Sequence, residues 1–251
     1  ELAANQGQIE ACLKMNDLLV KSQLFSQKVE RKELNHQKKI EEQEKYLKLA
    51  ADQNSSEAFI QLGIIYTNKK NLKKAKEYFK KAIEIDKHSN LGILNYALIL
   101  EKERLIETDE IIKIELIKEQ FKYLKDLADE DFIPAKYHFA RLMREIIDNK
   151  KYCKVFNMRE ITDKSYLKNL KEAFKNQYEI AVYDYADFLK KEADKGISPM
   201  QYKYGKILVN EKYPVFDKNK GLEYLEKAKN NHNEKAKRFL ANLNKQNNNN
   251  D

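Results

Sequence analysis

The stretch SEAFIQLGIIYTNKKNLKKAKEYFKKAIEIDKHS, Ser56–Ser89, decides the fold. Its 34 residues read as one helical hairpin. Phe59, Leu62, Gly63 and Tyr66 share a face of the first helix, and Ala75, Phe79 and Ala82 share a face of the second. Small residues at Gly63, Ala75 and Ala82 let two antiparallel helices approach, and large ones fill the gaps beside them.

Degraded copies of this punctuation recur along the 251 residues. A small residue, a large apolar one four positions on, a small one directly after and an apolar one three further mark the first helix of a hairpin. The marks open at Ala11, Ala58, Gly92, Ala135, Ala181, Met200 and Ala236, separated by 47, 34, 43, 46, 19 and 36 residues. Second helices are expected over Lys39–Asp52, Leu72–Asp86, Asp109–Asp129, Asp163–Asn176 and Lys218–Asn230. In the last, Gly221, Leu225 and Ala228 repeat the spacing of Ala75, Phe79 and Ala82. Thr108 with Asp109 and Thr162 with Asp163 offer side-chain oxygens to cap helix starts. The interval of 19 leaves no room for a second helix between Ala181 and Met200. Either a partner helix is missing there, or the segment from Pro199 to Asn210 itself occupies the second-helix position; the stop and restart at Gly196 and Pro199 favour the latter.

The spacing in Ser56–Ser89 resembles the tetratricopeptide repeat. The linkers AADQNSSEA (50–58) and AANQGQIEA (3–11), together with the uneven intervals, resemble the related Sel-one-like repeats. The resemblance implies an all-α fold, a right-handed α-solenoid of antiparallel helix hairpins. It also implies a binding scaffold rather than an enzyme. Some tetratricopeptide proteins clamp a chaperone's terminal carboxylate with lysine and asparagine, and here Ile60 and Ile64 stand where those residues would be needed.

Composition agrees with helices. Six glycines and three prolines are too few for a strand-and-turn architecture. No run of eighteen apolar residues marks a membrane span or a leader core. Cys12 and Cys153 lie far apart with no metal-binding spacing, so neither a disulfide framework nor a zinc site is expected, and a reducing, cytoplasmic compartment is the default. The net charge of +8 could attract nucleic acid or an anionic surface, but only six of the 48 basic residues are arginine, and the lysines alternate with acids on helix faces. Nucleic acid is therefore a disfavoured partner.

One solenoid of about six irregular hairpins is expected over residues 1–245, with a disordered asparagine-rich tail at 246–251. The chain is expected to be part of a longer protein, because its start resembles the end of a second helix and terminal repeats need a polar cap. Lys28–Glu44 is charged and reads as an extended helix or a mobile loop. The segment NKKYCKVFNMREI (149–161) carries enough apolar material to fold back on its neighbours.

No histidine cluster, nucleophile elbow or phosphate-binding glycine run is present, so no catalytic residue, metal or cofactor is assigned. His138, beside Tyr137, is read as a surface or packed histidine. First helices of stacked hairpins line a concave face, so their residues outside the core pattern form a ladder for a partner. The rungs singled out are Ile60, Ile64, Asn68, Leu94, Leu98, Tyr137, Arg141, Tyr183, Asp187, Tyr202 and Lys206. Further rungs fall at Leu13, Asp17 and Lys21, at Lys102, Glu145, Lys191 and Asn210, and at Arg238 with Asn242. The expected function is a non-enzymatic scaffold or adaptor for a protein partner. Alternatives are a structural subunit of a larger assembly and, less favoured, a lysine-rich binder of nucleic acid or an anionic surface.

Overall fold

The computed structural model describes residues 9–14, 16–17 and 32–248. Every regular element among them is helical, so the all-α expectation holds. The chain divides into two compact units, Glu1–Ala135 and Lys136–Asp251.

In the first unit residues 9–14 and 16–17 are helical, and they are followed by α1 (Lys32–Ala51), α2 (Ser56–Asn68), α3 (Leu72–Ile85), α4 (Asn90–Ile106) and α5 (Glu110–Asp129). The charged Lys28–Glu44 segment is helical from Lys32 onward, and its earlier residues lie outside the described ones, as do Met15, Leu19 and Lys21 of the first marked repeat. α2 and α3 form the hairpin that Ser56–Ser89 announced. A Cβ placed on Gly63 would lie 2.5–2.7 Å from three ring carbons of Phe79, so only glycine lets the two helices sit this close. Phe79 then fills a core with Leu47, Ala50, Leu62, Ala75, Ala82, Ile99 and Leu100, all buried.

Helix starts are set locally. Ser55 accepts from the Ala58 amide (3.2 Å), Asn71 from Lys74 (3.1 Å) and Ser89 from Gly92 (3.3 Å). Asp109, rather than Thr108, caps α5 by accepting from Ile111 and Ile112. Each such cap contributes about 1 kcal/mol. Helix ends share one device that composition hid. Asn54, Lys70, Asp131, Gln177 and His232 all adopt φ of 58–61°, and Gly196 adopts 84°. After each of the five non-glycine residues, the next amide reaches back to a carbonyl in the last helical turn, as in Ser55 to Ala50 (3.2 Å) and Asn71 to Tyr66 (2.9 Å). These are left-handed helix stops, usually glycine positions, filled here by polar side chains.

The second unit holds most of α6 (Ile133–Asp148), then α7 (Lys150–Cys153), α8 (Asp163–Lys175), α9 (Glu179–Asp194), α10 (Ser198–Leu208), α11 (Lys218–Asn230) and α12 (Glu234–Asn248). Segment 149–161 folds back as its composition suggested, burying Tyr152 and Ile161. Thr162 and Ser165 form a reciprocal capping box at the start of α8. α12 runs to Asn248, so the tail expected to be disordered is helical over 246–248, carried on by propagation of the preceding turns.

Residues 199–210 do not occupy the second-helix position expected of them. α10 is a first helix, and its second helix is α11. Ser198 Oγ donates to the Ala228 carbonyl (3.3 Å) just as Ser56 Oγ donates to that of Ala82 (3.1 Å). A Cβ on Gly205 would meet the Gly221 carbonyl oxygen at 2.7 Å and Leu225 Cγ at 2.9 Å, the counterpart of Gly63 against Phe79. The missing second helix is the one after α9, which packs instead against both α8 and α10.

Buried phenols tie neighbouring helices together in both units. Tyr66 donates to Glu44, Tyr96 to Glu119 (2.8 Å), Tyr137 to Asp184 (2.9 Å) and Tyr224 to Asp194 (2.5 Å). In each pair the ring supplies apolar burial and the hydroxyl finds a charged acceptor. All four phenols are held above the usual tyrosine range. For Tyr66 the Glu44 hydrogen bond is the main cause, whereas for the other three burial leads and the carboxylate adds to it.

Candidate protein-interaction surface

First helices lie beside first helices in each unit, which is the condition for a ladder of outward rungs. In the first unit α2 and α4 touch, with Ile60 over Gly92. That contact buries Ile60, and Leu94 is buried as well. Ile64 and Asn68 are exposed and Leu98 is half-buried. The aliphatic rungs therefore split: two are packing between helices and the rest reach solvent.

In the second unit α6 meets α9 and α10 meets α12. Tyr137 is only 3% exposed, so it is not the open anchor that its spacing suggested. Its hydroxyl is spent on Asp184, and its ring lies 5.2 Å from that of Tyr178 and 5.1 Å from that of His138. The guanidinium of exposed Arg141 sits 5.9 Å from the Tyr137 ring centroid, a cation–π arrangement that presents the charge at the surface. His138 is half-buried, and its Nδ1 has no hydrogen-bond partner among the described residues. Burial, with Arg141 nearby, pushes its pKa down to about 4, so this imidazole is neutral at pH 7.

Tyr183 is the open aromatic rung at 47% exposure. One turn on, Asp187 pairs with Lys191 at 2.7 Å, both exposed. Tyr202 meets the ring of Phe239 edge-on at 6.3 Å, and Lys206 lies 5.8 Å from the same ring. Thus Tyr202, Lys206 and Phe239 form one aromatic and cationic corner across α10 and α12.

Sequence spacing missed Asp184 and Phe239, each one residue beyond a marked rung. It also missed Glu44 on α1, which holds Tyr66 and Lys69 at the end of α2, beside the turn of the hairpin. Burial alone would raise the Glu44 pKa, but hydrogen bonds from Lys48, Lys69 and Tyr66 outweigh it and bring it to about 2. Only a charge standing among alternating lysines hinted at this network, and such alternation ordinarily marks a solvated face. Among the described residues no group of three or more His, Cys, Asp or Glu could hold a metal ion. No helix there is long and apolar enough to cross a membrane.

Residues 56–97 match the tetratricopeptide repeat family. No curated protein matches the chain in sequence. Among solved structures, the human IFIT1 dimer with PPP-AAAA is 17% identical over 78% of this chain and 52% of its own, with a TM-score of 0.45. The chain thus spans about half the length of that protein. A Sel1 repeat protein from Oxalobacter formigenes is 17% identical over 81% of this chain and 84% of its own, at a TM-score of 0.44. The antigen c5321 of uropathogenic Escherichia coli, which displays an SLR fold, is 15% identical over 96% of this chain and 58% of its own, at 0.37. Among the described residues the chain is an all-α array of helices, and within it residues 56–97 carry the match to the tetratricopeptide repeat.

Proposed function

We propose that this chain is a non-enzymatic scaffold or adaptor that holds a protein partner against the exposed residues of its first helices. Tetratricopeptide repeats generally mediate protein–protein interaction. The observation that carries the reading is the aromatic and charged set on the second unit's first helices: Arg141, Tyr183, Asp187 and Lys206, all exposed, with half-buried Tyr202 beside them. Aromatic and arginine side chains are the usual anchors of protein interfaces. In the first unit Ile64, Asn68 and Leu98 offer a smaller, more aliphatic set. Ile60, Leu94 and Tyr137 act from behind, by fixing the helices that carry the rungs.

Lysine use supports a protein partner over a phosphate backbone. On and beside α3, Lys69 pairs with Glu44 and Lys76 with Glu103, while Lys74 and Lys81 lie over the rings of Tyr66 and Phe59. These charges are engaged within the fold rather than arrayed along a strand-binding groove.

The test is comparative purification of native partners with the parent chain and with the double variant Arg141→Glu/Tyr183→Ala. Both side chains are exposed, so the variant keeps its helical content and melting temperature. Partners held by this face disappear from the variant's eluate, and those held in the parent survive raised salt. An identical set of copurifying proteins rejects the face, and capture that fades steeply with salt and tracks nucleic acid rejects the class.

A further inference from the structure

The α4–α5 hairpin overhangs the repeat that precedes it. With a period of 34, the end of α2 at Asn68 corresponds to Lys102, yet α4 continues to Ile106, one turn further. On that added turn and at the start of α5 sit Leu105, Ile106, Ile111 and Ile112, exposed by 70, 72, 74 and 46%. No other part of the described chain concentrates large aliphatic side chains this open. Between the two apolar pairs run Glu107, Thr108, Asp109 and Glu110, three carboxylates with no basic residue among them, in a chain whose net charge is +8; Lys113, one turn into α5, lies 3.5 Å from Glu110.

The loop is held in shape. One Glu107 oxygen accepts from the amides of Thr108 (2.7 Å) and Asp109 (2.9 Å), and Asp109 accepts from Ile111 (2.7 Å) and Ile112 (3.2 Å). The result is a pre-organised knob, apolar on its flanks and acidic at its crown. Such a patch marks an interaction site, and pre-organisation lowers the ordering cost of docking.

We propose that this tip docks into a protein partner whose contacting segment is basic and apolar, with large hydrophobic side chains over Leu105, Ile106, Ile111 and Ile112 and Lys or Arg against the carboxylates. Charge complementarity selects the occupant. An anionic lipid surface would repel the crown. Tip-to-tip pairing of two copies would oppose like charges and bury on the order of 1,000 Å², short of the ~1,200 Å² at which stable interfaces begin. The site is separate from the first-helix rungs and stands or falls independently of them.

Selection of a random-peptide display library on the intact chain tests it. The expected binders combine Lys or Arg with large apolar residues. Their affinity drops at least about tenfold for Ile106→Ser/Ile111→Ser, and about threefold or more for Glu107→Gln/Glu110→Gln, the range of small apolar and rim-charge contacts. Both variants keep the parental circular dichroism and melting temperature, since the altered side chains are largely exposed. Binders that tolerate both variants, binders lacking basic residues, or no tip-dependent binder at all overturn the proposal. It is equally overturned if the apolar variant abolishes self-association, which would make a second copy the occupant. Loss of flotation with phosphatidylcholine vesicles in that variant would make it a membrane and overturn the proposal too.

Discussion

Replacing Gly63 by alanine tests the packing on which the hairpin reading rests. A methyl group there falls 2.5–2.7 Å from Cε1, Cδ1 and Cζ of Phe79, where relaxed carbon contacts lie at about 3.5–4.0 Å. The Phe79 ring is 1% exposed and walled in by Leu62, Ala75 and Ala82, so it cannot swing away, and the helices must part by roughly an ångström. Overpacking of this kind costs about 1–3 kcal/mol, while alanine in place of glycine within a helix recovers about 1 kcal/mol. The expected net loss is about 1 kcal/mol, read as a lower urea midpoint in circular dichroism. A second background separates the two contributions. In Phe79→Leu, a variant destabilised in its own right, the ring carbons are gone and Gly63→Ala becomes neutral or stabilising, giving a coupling of about 1–2 kcal/mol between the sites. A Gly63→Ala chain as stable as the parent, or an equal loss in both backgrounds, refutes the close approach of α2 and α3.

Acid unfolding reports on Glu44. With its pKa at about 2, its contribution is complete above the ordinary carboxylate value near 4.5 and is lost as pH falls from there toward 2. After allowance for solvent around Lys48 this amounts to about 1–2 kcal/mol, and Glu44→Gln should flatten that limb of the stability profile. His138 acts at higher pH. Its native pKa of about 4 lies below the ordinary 6.5, so the unfolded chain takes up the proton first, and stability declines as pH falls from 6.5 to 4 by about 2 kcal/mol. His138→Phe removes that slope, and an unchanged slope contradicts the burial. Lys70→Gly and Gln177→Gly should each raise stability by about 0.5–1 kcal/mol in thermal melts, because glycine relieves the left-handed conformation at φ 58°. Alanine at the same positions should give no gain.

The legible parts of the chain were those governed by neighbours a few positions away. Ala75, Phe79 and Ala82 on one helix, and Gly221, Leu225 and Ala228 on another, are all buried as their spacing required. Second-helix boundaries were recovered to within a residue for α3, α5, α8 and α11, since Asn71, Asp109, Thr162 and Asp217 cap their own helices through local hydrogen bonds. The left-handed stops were hidden because five of the six carry side chains other than glycine, and composition registers glycine more readily than backbone angle.

Which first-helix residues face a partner was not local information. Tyr137 and Tyr183 stand at comparable ladder positions. One is buried because α9 brings Asp184 and Tyr178 against it, whereas the other reaches solvent. The pairing of α10 with α11 was likewise settled by contacts across intervals that one-dimensional spacing cannot rank, Ser198 to Ala228 and Gly205 to Leu225. Helical period and capping are written into consecutive residues, so sequence alone determined the all-α hairpin class and most helix starts. Exposure, pKa and the choice of neighbouring helix depend on what a distant segment places alongside, and only the tertiary structure decided those.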